Sequence, residues 1–129
     1  MTLDINQCNF GGQQQMIFFS YNKCGTCRKA KKTLDTHKVL YDEVDITKKP
    51  PSKAILKKAI KAKGMKKLFN TSGEQYKKLR IKDKIGTMTE AEAVELLSAN
   101  GRLIKRPIAV DGNRITVGFD EIEYKKIWS

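Results

Sequence analysis

Met16-Ile17-Phe18-Phe19-Ser20-Tyr21-Asn22-Lys23-Cys24-Gly25-Thr26-Cys27 is the stretch that decides the fold of this chain. The apolar run from Met16 to Ser20 has the length and the aromatic, branched content of a buried strand. Tyr21-Asn22-Lys23 breaks it, and from Gly25 to about His37 the pattern is helical. Two thiols three positions apart thus open a helix, where they can close a small disulfide. Cys24 also meets the free N–H groups and the positive dipole end of that helix, which favour a thiolate. Arg28, Lys29, Lys31 and Lys32 add positive charge within the first two turns. Each lowers the cost of removing the sulfhydryl proton, so the residues point first to redox or thiol-transfer chemistry.

Two blander roles for a CxxC pair compete with this one. A structural zinc needs four ligands, and only Cys8 and His37 remain to complete such a set. Cys8 lies in a polar leader, so no metal is expected. A static disulfide is disfavoured by the odd number of cysteines and by the lack of a secretory signal, which suit a reducing, cytoplasmic compartment.

With 129 residues the chain reads as one domain, large enough for a proper core. No apolar stretch approaches the length of a membrane span, so no membrane partner is expected. Residues 1–15 are polar and Gly/Gln-rich and read as a disordered leader or tag, with the fold over 16–129. The net charge of +12 invites a nucleic-acid reading. However, the lysines occupy the solvent faces of the helices. Over residues 52–63, Ile55, Leu56, Ala59 and Ile60 form one apolar face amid Lys53, Lys57, Lys58, Lys61 and Lys63. No aromatics interleave with these charges, as single-strand binders require. The charge reads as solvation and a general attraction for anions, not as direct nucleic-acid binding.

Farther along, residues 39–46 alternate as a second strand, which makes a right-handed βαβ unit with parallel strands. Ser52 caps the next helix and Gly64 closes it. Lys66 to Phe69 forms a short turn, Asn70-Thr71-Ser72-Gly73 is turn-forming, and Glu74 to Leu79 is a short helix. Thr89 and Glu92 make a capping box for a helix ending near Asn100-Gly101. Residues 103–110 are strand-like around Pro107, Asp111-Gly112-Asn113 is a hairpin turn, and Arg114 to Val117 pairs back antiparallel. Gly118 breaks that strand, and Asp120 caps a last helix through Ile127 and Trp128. The order βαβ, helical insert, ββα predicts an α/β, thioredoxin-like sheet of about four strands.

Pro107 sits at the start of a predicted central strand, where proline is awkward. A cis peptide there would turn the backbone sharply, and in thioredoxin-like folds such a proline faces the CxxC pair; an ordinary trans proline at a strand start is the alternative. Arg106 would then stand beside the thiols, where its planar fork can hold a carboxylate, an oxyanion or a leaving thiolate, the alternative being a solvated arginine among Lys105 and Arg102.

Cys24-Gly25-Thr26-Cys27-Arg28-Lys29-Ala30, Leu68-Phe69-Asn70-Thr71-Ser72-Gly73 and Leu103-Ile104-Lys105-Arg106-Pro107-Ile108, followed by Val117-Gly118, together resemble the arsenate reductase-like family that includes ArsC and Spx. The likeness runs from about Met16 to Trp128. It implies a thioredoxin-like domain with a helical insert, Cys24 as nucleophile, and Arg106 before a cis-proline as oxyanion holder. The glutaredoxin-linked arsenate reductases usually carry a serine where this chain has Cys27 and a histidine where it has Ser20. They use two further arginines, replaced here by Asn70 and by residues near Val117-Gly118. Losing two of three anion-holding arginines weakens stabilisation of a doubly charged oxyanion by several kcal/mol.

Spx-type regulators keep the CxxC and the Arg-Pro, and use the disulfide to alter binding to the RNA polymerase α-subunit. This chain lacks their longer C-terminal tail, and its Asn70–Gly73 motif is closer to the reductase-like branch. The leading expectation is a thiol–disulfide oxidoreductase. In it Cys24 attacks, Cys27 resolves, Arg28 and Arg106 stabilise anionic charge, and Pro107 shapes the groove. No bound cofactor is expected, and thioredoxin, glutaredoxin or glutathione would supply electrons. Arsenate reduction and a redox-switched regulator are the alternatives.

Overall fold

A computed structural model describes residues 16–128. The expectations for the leader and for Cys8 lie outside the described residues. The chain forms strand β1 (Met16–Ser20), helix α1 (Gly25–Thr36), β2 (Tyr41–Asp45) and α2 (Lys53–Lys63). A 3₁₀ turn (Lys66–Leu68) and helices α3 (Glu74–Lys78), α4 (Ile81–Lys84) and α5 (Glu90–Ala99) follow. A second 3₁₀ turn (Gly101–Leu103), β3 (Ile108–Asp111), β4 (Arg114–Val117) and α6 (Glu121–Ile127) complete it. The sheet order is β2-β1-β3-β4, with β1 parallel to β2 and the other two pairings antiparallel. This is the α/β, thioredoxin-like arrangement with a helical insert.

The pleat of β1 explains why the sheet is covered on both faces. Met16 and Phe18 point into a cluster with Ala30 and Leu34 of α1 and with Tyr124 and Trp128 at the C-terminal end. Ile17 and Phe19 point the other way, into the larger cluster built by α2, α5 and the intervening turns. Leu56, Ala59 and Ile60 of α2 are buried there, while Lys53, Lys57, Lys58 and Lys61 are exposed. The lysine-rich composition is therefore largely the outside of amphipathic helices.

The expected caps are present. The Ser52 hydroxyl accepts from the Ile55 N–H, Thr89 and Glu92 form a reciprocal capping box, and Asp120 accepts from the Ile122 and Glu123 amides. Gly64, Gly112 and Gly118 all have positive φ. Two expectations need correction. The second strand starts at Tyr41, because Lys38 adopts φ +58 and Val39 N–H bonds to Leu34 carbonyl. Those residues close α1 in a Schellman motif and are not free to join the sheet. The third strand starts only at Ile108, since Leu103 belongs to a 3₁₀ turn that the Asn100 side chain caps. Helix α4, preceded by Arg80 in the left-handed region, has no counterpart in the sequence pattern above.

Candidate active site

The loop between β1 and α1 delivers both thiols. The Cys24 amide bonds to the Tyr21 carbonyl (3.0 Å), which folds the loop into a tight turn and fixes Cys24 as the N-cap of α1. In that position its sulfur accepts from the Cys27 backbone N–H at 3.4 Å. A sulfur thus takes the place of the oxygen that usually caps a helix. Cys27 starts the buried stripe of α1 that continues through Ala30 and Leu34, and its side chain is almost wholly covered, whereas Cys24 is half-exposed. Both thiols are free.

Opposite this turn stands Arg106, half-buried, joined to buried Pro107 by a cis peptide. Its guanidinium lies 4.8 Å from the centre of the Tyr21 ring and reaches the Cys24 sulfur. Burial resists ionisation of Cys24. The Cys27 amide and thiol and the Arg106 guanidinium outweigh it, and bring the Cys24 thiol below its ordinary range. Burial pushes the Cys27 thiol up to about 12, and its nearness to Cys24 adds to this. The geometry therefore makes one accessible thiolate and one covered, protonated thiol.

The structure brings Cys24, Cys27, Arg106 and Pro107 together and turns Arg28 aside. Its guanidinium donates to the Asn22 carbonyl (3.1 Å), bracing the loop from the exposed side. The Asn70 side chain packs against Gly73. His37 caps the far end of α1, about 18 Å from the cysteines at 1.5 Å per residue, so it cannot share a metal with them. Among the described residues no cluster of His, Cys, Asp and Glu forms a metal site.

A second feature was not read from the sequence. Behind Cys27 lies a cavity of about 590 Å³ lined by Ser20, Arg28, Lys31 and Glu43 among others. Ser20 donates to Glu43 (2.8 Å), and Lys31 pairs with the other carboxylate oxygen (2.9 Å). Tyr21 reads in the sequence only as a strand breaker, whereas the structure sets its ring beneath the Arg106 guanidinium.

Comparison with known proteins agrees with this geometry. The ArsC family model matches residues 19–127. The uncharacterized protein YusI of Bacillus subtilis is 47% identical over 116 residues, which is 88% of this chain and 98% of YusI. The global transcriptional regulator Spx of Streptococcus mutans is 32% identical over 112 residues, 85% of this chain and 80% of Spx. The crystal structure of an ArsC family related protein from Bacteroides fragilis superposes with a TM-score of 0.83 at 40% identity, covering 90% of this chain and 99% of that one. A βαβ–ββα sheet, a capping cysteine with its partner three residues on, and an arginine before a cis-proline thus occur in a sequence matched almost end to end: the chain belongs to the ArsC family.

Proposed function

We propose that the protein is a thiol–disulfide oxidoreductase in which Cys24 is the nucleophile and Cys27 the resolving thiol. The observation that carries this reading is the split between the sulfurs: Cys24 is half-exposed and favoured as thiolate, whereas Cys27 is covered and held protonated. The Cys24 thiolate attacks one sulfur of a substrate disulfide, forming a mixed disulfide and releasing the other half as a thiolate. Cys27 then gives up its proton and attacks the Cys24 sulfur, releasing the second substrate thiolate. The substrate gains two electrons and the protein is left with a Cys24–Cys27 disulfide. Thioredoxin, glutaredoxin or glutathione returns the electrons, and Arg106 stabilises the thiolates formed beside it.

Oxidised glutathione tests the division of labour. Cys27→Ser should retain one glutathione on Cys24 by peptide mass. The unsubstituted protein should instead close Cys24–Cys27, and Cys24→Ser should take none at Cys27. Equal trapping by both single variants would overturn the assignment. Arsenate-dependent NADPH consumption with glutathione and glutaredoxin, or with thioredoxin and its reductase, would move the activity to arsenate reduction.

A regulatory reading has its own support in the likeness to Spx, a transcriptional regulator. In that case the same disulfide would switch binding to a transcription partner such as the RNA polymerase α-subunit. Capture of purified α-subunit by the oxidised but not the reduced protein would favour it over catalysis.

A further inference from the structure

We propose that Tyr21 is a positioning residue for the Cys24 thiolate: its ring is the platform that holds the Arg106 guanidinium against the sulfur. Strands β1 and β3 pair antiparallel with Ile17 opposite Val110, Phe18 opposite Ala109 and Phe19 opposite Ile108. Continued by two residues, the same register sets Tyr21 opposite Arg106, just where both segments leave the sheet. The guanidinium does lie over that ring, 4.8 Å from its centre. Cross-strand neighbours of this kind fix each other's side chains.

The same residue also fixes the nucleophile. The Tyr21 carbonyl accepts the Cys24 amide at 3.0 Å, so ring and thiol belong to one short turn. The Tyr21 side chain packs on the main core and is not free to swing. Arg106 makes no ion pair among those found for the described residues. With no carboxylate to orient it, a long, flexible side chain needs another restraint, and the aromatic face supplies one. One residue thus sets both the position of the sulfur and the direction of the cation that faces it.

It presupposes only that Cys24 is the nucleophile, as proposed above. The test reads thiolate, not turnover, so it stands or falls separately from reductase activity. Iodoacetamide alkylation of Cys24 in the full reduced chain, resolved from Cys8 and Cys27 by peptide mass, is followed against pH. Tyr21→Leu should move the profile to higher pH and slow alkylation on its acidic limb about threefold, the scale of one cation–π contact. Tyr21→Phe, which keeps the ring, should retain the original profile. In an Arg106→Ala background, Tyr21→Leu should have no further effect. An equal effect with and without Arg106, or a Tyr21→Phe profile displaced like that of Tyr21→Leu, overturns the proposal. Should Tyr21→Leu fail to fold, Tyr21→Met, closer in volume, carries the same comparisons.

Discussion

Cys24 and Cys27 share one helix terminus, yet their environments push the two thiols in opposite directions. The helix end favours charge at both, so the difference comes from where each sulfur points. Cys24 faces an arginine at the surface, whereas Cys27 faces the interior along the stripe that leads to Ala30 and Leu34. In that interior Tyr124 is fully buried, and among the described residues its hydroxyl makes no well-formed hydrogen bond, the Thr116 hydroxyl standing close enough only for a weak one. The neighbouring Thr116 hydroxyl accepts instead from the Trp128 indole at 3.0 Å. A buried, unpaired hydroxyl costs about 1–3 kcal/mol, and deleting it together with its demand is neutral or favourable. Tyr124→Phe should therefore leave the thermal midpoint unchanged or raise it. A loss of more than about 1 kcal/mol in urea unfolding would reveal a partner for that oxygen.

At the scale of elements, the strongest constraint lies away from the thiols. Gly101 packs so tightly on the end of β2 that an added Cβ would lie 1.9 Å from the Ile46 carbonyl oxygen. The nearest atoms all belong to the Ile46 and Thr47 backbone, so no flexible side chain is there to yield. Gly101→Ala should cost at least about 2 kcal/mol by urea unfolding, the scale of forced repacking in a core. A cost below 0.5 kcal/mol, the range of ordinary surface changes, would show that the two segments can part. The sequence marked Asn100-Gly101 only as a helix end, because the contact is made with a segment remote in the chain. The same division runs through the other elements. Ser52, Thr89 and Asp120 were legible because a cap is a local hydrogen bond between a side chain and the next turn. The CxxC and Pro107 were legible for the same reason, as each is a statement about adjacent residues. The Lys38 closure of α1 was not, since a lysine stands where glycine would have signalled φ +58. Tyr21 was hidden because its partner arrives only through the β1–β3 register. Arg28 was read as a cation for the thiol because of its closeness in sequence, and the helix instead aims it at the Asn22 carbonyl.

For the molecule as a whole, the thiol pair couples folding to pH with two opposite signs. The folded state lowers the Cys24 pKa, so it binds fewer protons there than the unfolded chain, whose thiols titrate near 9.0. The resulting stabilisation is fully present above the unfolded value and is lost as pH falls through the folded one. Cys27 works in the other direction. Its folded pKa of about 12 gives stability that is present below the unfolded value and lost as pH rises toward 12. In the window that runs from the lowered Cys24 value up to the unfolded thiol value, the Cys24 contribution is therefore the larger change. Under reducing conditions, the unfolding free energy of the unsubstituted protein minus that of Cys24→Ser should rise with pH across this window and level off above it. For Cys27→Ser the corresponding difference should be flat to about pH 8 and fall beyond it. Urea unfolding at stepped pH measures both. A Cys24 difference that is constant, or that falls with pH, would mean that the folded environment does not favour the thiolate. The acid–base split between the sulfurs, which carries the proposed chemistry, would then be lost.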